Sequence, residues 1–146
     1  MDESSATRLS AALERITRLL RRADLPGNLS TVAASTLYTL ATEGPSRLTT
    51  LADAEHITQP AMTQLVSRLE RDGLVVRMPD PLDGRAVSVV VTPEGSALST
   101  ARRAARADAL QAAMARLSAD DVRDLGNAIA ALERVAGAES GTEASG

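Results

Sequence analysis

Apolar residues recur at helical spacing through most of this chain, but after Gly73 the period drops from about 3.6 residues to about 2, and after Val91 it returns. The two runs with the short period, LVVRM (74–78) and RAVSVVV (85–91), are rich in β-branched residues and read as strands. PDPLDG between them is dense in turn formers, which predicts a hairpin with a projecting loop. The expected fold is therefore mainly α with a small β-hairpin.

The flanking helices can be placed from their breakers and caps. Leu9, Leu13, Ile16 and Leu20 share a helical face over 7–22, with Arg8, Arg15, Arg18, Arg21 and Arg22 around it, and LPGN (25–28) breaks that helix. Ser30 can cap a second helix running to about Glu43, with Val32, Ala33, Leu37, Leu40 and Ala41 inward, and Gly44-Pro45 stops it. LTTLADAE (48–55) reads as a short third helix. In ITQPAMTQLVSRLERDGL (57–74), Thr58 or Gln59 can accept from the free N–H groups at the start, and Pro60 suits the first turn. There Met62, Leu65, Val66 and Leu69 line the inward face, and Gly73 sits where a left-handed C-terminal cap belongs. TPEG (92–95) opens a long helix with Thr92 as cap, reaching about Leu117. Ser118 with Asp120 and Asp121 starts a last one, whose apolar face is Val122, Leu125, Ile129, Leu132 and Val135. GAESGTEASG (137–146) has no apolar residue larger than Ala and is expected to be disordered.

Composition narrows the function. At 146 residues the chain fits one domain with helical extensions. Tyr38 is its only aromatic residue, so its core must be aliphatic, and such chains often gain stability by oligomerising. Zero Cys excludes disulfides and thiol chemistry, and one His leaves no set of zinc ligands. There is no Gly-rich phosphate loop and no Ser/His/Asp set, so no catalytic, cofactor-binding or metal-binding residues are assigned. MDESSATRL is unlike a signal peptide, and no apolar run approaches the roughly 18 residues of a membrane span, so a cytoplasmic protein is expected. Net charge is −3, and all 16 basic residues are Arg. Coding bias accounts for that as well as any preference for bidentate phosphate contacts does.

The outward face of 57–74 is unusual. Gln, Thr, Gln and Ser precede any charge, where a solvated helix normally mixes Lys and Glu. Taken alone, such a face is ordinary surface. Placed between a short helix and a hairpin it completes a winged helix–turn–helix, in which the second helix enters the DNA major groove with its N-terminal residues on base edges. Gln bonds adenine in pairs, and Ala or a Thr methyl meets the thymine methyl. The base-edge candidates are Gln59, Ala61, Thr63 and Gln64, beside Pro60; Thr58, Ser67 and Arg68 are candidates for phosphate. At the hairpin tip Arg85 is placed to reach a minor groove, with Asp83 orienting its guanidinium through a charge-assisted pair. Arg77 either pairs within the wing or touches DNA.

The run LADAEHITQPAMTQLVSRLERDGLVVRMPDPLDGRAVSVVVTPEG (51–95) resembles the MarR family of bacterial transcription regulators. The matching features are Leu-Ala in the first helix, Thr-Gln-Pro at the second, Leu-Glu-x-x-Gly-Leu-Val-x-Arg into the wing, the wing's Asp-x-Arg, and Val-Thr-x-x-Gly after it. The resemblance implies a homodimer whose N- and C-terminal helices intertwine, with two winged units on a pseudopalindromic operator. It also implies a small aromatic or anionic ligand between dimer helices and winged unit. Tyr38, Arg15 and Arg18 are the candidate ligand pocket, although Tyr38 as core and the arginines as solvated surface are the ordinary readings. Where the family's interhelical turn has an apolar residue then Gly, this chain has Glu55-His56; His tolerates the left-handed conformation better than most residues.

The expected organisation is an N-terminal dimerisation helix and loop (1–28), a winged helix–turn–helix DNA-binding region (29–92), C-terminal dimerisation helices (93–136) and the tail (137–146). The expected function is a ligand-responsive, sequence-specific DNA-binding repressor. The alternative is a winged-helix dimer used for protein–protein contact without specific DNA binding.

Overall fold

The computed structural model describes residues 2–24 and 29–137. The expected LPGN breaker and all of the expected tail after Gly137 lie outside these residues. Six helices and three short strands follow in order: α1 (Glu3–Ala23), α2 (Thr31–Glu43), β1 (Ser46–Arg47), α3 (Leu48–Ala54), α4 (Gln59–Arg71), β2 (Val75–Pro79), β3 (Val87–Val91), α5 (Pro93–Met114) and α6 (Ala119–Gly137). They fall into two compact units, Met1–Arg106 and Ala107–Gly146.

In the first unit, the caps read from the sequence set the helix starts. Ser30 Oγ accepts from Ala33 N at 3.1 Å, and Thr58 Oγ1 accepts from Ala61 N at 3.3 Å. Thr92 does the same for α5, accepting from Gly95 N at 3.1 Å while its own hydroxyl donates to Gly73 O at 2.7 Å. Gly73 ends α4 with φ +74°, the left-handed conformation that favours glycine. The aliphatic core gathers Leu37 and Leu40 of α2, Leu51 and Ala52 of α3, Met62, Leu65, Val66 and Leu69 of α4, and Val75 and Val89 of the sheet. Every α4 residue expected inward is there. In α2 the expectation needs one correction: Ala41 is exposed and Thr36 is buried. Burying that hydroxyl is tolerable because it donates to Val32 O at 2.9 Å.

The hairpin forms as expected, with Val75 opposite Val91 and Pro79 opposite Val87. A third strand was not expected. Ser46–Arg47 pairs antiparallel with β3, opposite Val89 and Ser88, giving the order β1-β3-β2. Two residues carry no alternation, so nothing in the sequence marks them as a strand. This pairing joins the start of the helix–turn–helix to the hairpin, and the core side chains of α4 hold that helix on the same frame. α1 has no fully buried side chain, and Leu13, Ile16 and Leu19 stay half-exposed.

In the second unit α5 ends at Met114, three residues short of the expected Leu117. Ser118 then caps α6, donating to Asp121 Oδ2 at 2.6 Å and accepting from Asp121 N at 3.1 Å. α6 also has no fully buried side chain; Val122, Leu125, Ile129, Leu132 and Val135 form an exposed apolar stripe.

Candidate nucleic-acid interface

α3 and α4 are joined by a turn in which His56 has φ +51°, the only positive value among the described non-glycine residues. This is the left-handed conformation that glycine takes most readily. Beyond it, α4 presents Gln59, Pro60, Ala61, Thr63, Gln64 and Arg68 to solvent, with Ser67 half-buried. The four base-edge candidates therefore share an open face, opposite the buried stripe that fixes the helix's rotation.

Two of the hydroxyls on this face are already occupied. Thr63 Oγ1 donates to Gln59 O at 2.9 Å, and Ser67 Oγ donates to Thr63 O at 2.8 Å. Each keeps accepting capacity, but Ser67's is taken by Arg77 Nη2 at 2.9 Å. Thr58 spends its hydroxyl oxygen on the helix cap. The amides of Gln59 and Gln64 make no hydrogen bond among the described residues, which leaves both with their donors and acceptors open.

Arg77 pairs internally, though with a partner on α4 rather than within the wing. Its guanidinium is ion-paired with Glu70, and its backbone N donates to Glu70 Oε1 at 3.1 Å. The resulting brace runs from β2 to α4.

The wing tip departs from expectation. Asp83 does not hold the Arg85 guanidinium; its Oδ1 accepts from the Arg85 backbone N at 3.1 Å, a local turn that sets where the residue begins and leaves its side chain free. The wing's ion pair is instead Arg47–Asp80, with Nε to Oδ2 at 2.8 Å. Asp80 is 9% exposed, and its Oδ1 also accepts from Leu82 N at 2.8 Å and Asp83 N at 3.2 Å. The Arg47 hydrogen bond, followed by the Leu82 N–H, holds this carboxyl well below the usual carboxylate range, against the opposing effect of burial. Neither residue of the pair was among the sequence candidates. They lie 33 positions apart, Arg47 on a strand too short to be read and Asp80 just past the end of β2.

Away from α4 and the wing, the candidate ligand residues separate. Tyr38 is exposed rather than core, with the Arg103 guanidinium 4.5 Å from its ring centroid. It lines a cleft with Ser35, Ser99, Arg102, Arg103 and Arg106. Arg15 lines a different depression, on α1 itself, and Arg18 lines neither. Asp24, at the end of α1, bridges Arg102 and Arg106 at the cleft: Arg106 Nε and Nη2 donate to its two oxygens at 2.7 and 3.0 Å, and Arg102 Nη2 donates at 2.9 Å. Arg106 first, and Arg102 after it, lower the Asp24 pKa.

A short helix, a turn, a second helix with an uncharged polar face and an arginine-tipped antiparallel hairpin together define a winged helix–turn–helix protein. The pattern described as the MarR family matches residues 29–87. Over 124 residues the chain is 37% identical to the HTH-type transcriptional regulator MT0903.1 of Mycobacterium tuberculosis, spanning 85% of this chain and 86% of that one. Its fold is similar to that of transcriptional regulator Tm0710 from Thermotoga maritima, with TM-score 0.77, 21% identity, and 97% and 100% of the two chains covered. It is also similar to Bordetella bronchiseptica BpsR, from a structure described as showing regulation of DNA binding by 6-hydroxynicotinic acid, with TM-score 0.65, 21% identity and 90% and 94% coverage. The chain belongs to the MarR family and is a transcription regulator of that family, whose members are not enzymes.

Proposed function

We propose that the chain binds a pseudopalindromic operator as a homodimer and represses transcription from it. The observation that carries this reading is the open Gln59/Ala61/Thr63/Gln64 face on a helix locked by its buried stripe, beside a wing that leaves Arg85 unpaired among the described residues. Small uncharged groups discriminate bases, whereas Arg68 and Arg85 supply the sequence-independent attraction to phosphate and minor groove. The exposed stripes of α1 and α6 support the homodimer, and two-fold symmetry sets its half-sites about 34 Å apart, one DNA turn. A dimer clamped across two adjacent major grooves excludes other proteins from that stretch, which is why we read the regulation as repression. On this reading residues 29–92 form the DNA-binding region, 1–28 carry the N-terminal dimerisation helix and a loop, 93–136 form the C-terminal dimerisation helices, and the protein works in the cytoplasm. No helix among the described residues is long and apolar enough to cross a membrane.

Ligand response belongs to the same proposal. The BpsR likeness supports a small aromatic anion as effector. In this chain the cleft beside Tyr38 suits one, with Arg103 stacked on the ring and Arg102 and Arg106 sharing the single negative charge of Asp24, so that the cleft keeps a net positive charge.

Selection of bound sequences from a random DNA pool tests the function. The expected result is a palindrome, with specific mobility shifts that Arg85→Ala weakens. No enrichment at low salt, with Arg85→Ala behaving as wild type, supports the protein–protein module instead.

A further inference from the structure

Within the tip of the wing the bonds are those of a local turn, Asp83 accepting from Arg85 N through Oδ1 at 3.1 Å and from Ala86 N through its carbonyl at 3.0 Å. Pro81, Leu82, Asp83, Gly84 and Arg85 are all exposed, and Leu82 is 94% so. Its geometry is fixed at the base, on Asp80. Beyond the ion pair and the two tip amides already described, Asp80 Oδ2 accepts from Ser88 Oγ at 3.2 Å, and Asp80 N donates to Ala86 O at 3.0 Å. One buried carboxylate thus ties the descending strand and the tip to the end of the ascending strand.

Arg47 brings in the fourth element. It is the residue immediately before α3 and uses no side-chain bond to cap that helix. It also lies opposite Ser88 in the register of β1 with β3, so its guanidinium falls on the Asp80–Ser88 side of the sheet. The pair consequently links the first residue of the helix–turn–helix to the turn from which Arg85 projects.

We propose that Arg47 and Asp80 are positioning residues for DNA recognition: they fix the pitch of the wing relative to the helix–turn–helix, so that Arg85 enters the minor groove while α4 occupies the major groove. This rests on the DNA-binding reading above. A positioning pair leaves a different signature from a simple staple or a phosphate contact. A staple changes melting and acts on all DNA through the folded fraction. A phosphate contact lowers specific and nonspecific affinity together and flattens the salt dependence.

The test compares Arg47→Gln, Asp80→Asn, their double variant and Arg47→Lys with wild type. Affinity is measured on the selected operator, on operators altered one base pair at a time and on random-sequence DNA, with melting recorded alongside. Amide exchange at Leu82 and Asp83 is followed in the free protein. Arg47→Gln is expected to lose about tenfold in operator affinity, the order of one lost base contact. The loss should be confined to discrimination at the outer base pairs under the wing, and both tip amides should exchange faster. The double variant should be no worse than either single, because the two residues act as one unit, and Arg47→Lys should recover most of the loss. Unchanged selectivity in Arg47→Gln overturns the proposal alone; so do equal losses on random DNA, additive losses in the double variant, or unaltered exchange at the tip. A wild-type protein that selects no sequence overturns it together with the function on which it rests.

Discussion

His56 holds φ +51° without being a glycine, and an L-residue in that conformation bears roughly 1–2 kcal/mol of strain. Glycine relieves the strain but loses about 0.5–1 kcal/mol more chain entropy on folding. His56→Gly is therefore expected to stabilise by about 0.5 kcal/mol, and His56→Val to destabilise by more than about 1 kcal/mol, since β-branching suits this region least. Urea unfolding of the two variants checks both signs. Gly95 is constrained by space instead. A Cβ there would stand 2.1 Å from the Leu74 carbonyl oxygen and 2.9 Å from Val91 Cγ2. The obstacle is backbone that itself accepts from Thr92 N at 3.0 Å, so it cannot move aside without breaking the join between hairpin and α5. Gly95→Ala is expected to cost about 3 kcal/mol or more, read as a loss of melting temperature. The two positions differ in how far the sequence reveals them. Glu55-His56 stands out at once as a departure from the turn's usual residues. The need for a small residue at Gly95 arises from contact with Leu74, 21 positions earlier, which spacing does not show.

Within single elements, legibility followed periodicity. The buried stripe of α4 has a full helical repeat behind it, so the spacing alone defines both that stripe and the face opposite it. What spacing could not give was the state of each polar group on that face. Thr63 and Ser67 direct their hydroxyl protons into the helix backbone, while Gln59 and Gln64 keep their amides free. Gln64→Ala should therefore relax base preference at one operator position by about 1–3 kcal/mol. Thr63→Ala should cost less, and binding to single-base operator variants separates them. β1 and the Arg47–Asp80 pair were illegible for the opposite reason, being short in one case and remote in sequence in the other. The Asp24 contacts are equally remote, and they carry a pH signature. Arg106 and Arg102 depress the Asp24 pKa, so its stabilising contribution is complete above the unfolded value of about 3.9 and is lost only as pH falls through the lower folded value. The stability difference between wild type and Asp24→Asn should thus stay constant from neutral pH to about pH 5 and shrink below about pH 3.9. Denaturant unfolding of both across that range measures it.

At the scale of the whole molecule, the proposed dimer has to supply what an aromatic-poor chain lacks. Each fully buried leucine-sized side chain contributes about 1.5–3 kcal/mol, and the cost of associating two chains is about 4–15 kcal/mol. The half-exposed stripes of α1 and α6 are of the size needed to offset it, whereas a surface without them is not. Replacing Ile129 by Asp, at 56% exposure in the middle of the α6 stripe, should therefore halve the sedimenting mass and leave each winged unit folded. The DNA measurement then reports on the same assembly independently. Of the arginines in 58–91, Arg77 is committed to Glu70, which leaves Arg68, Arg71 and Arg85 outside any ion pair among the described residues. Two protomers present about six such charges, for which counterion release gives a slope of log affinity against log salt of about −5. Arg85→Ala removes one from each protomer and should bring the slope to between about −3 and −4. Ile129→Asp should halve it, because a lone unit meets a single half-site. A wild-type slope already near the half value would mean that one winged unit binds at a time, and the two-fold operator would then have no physical basis.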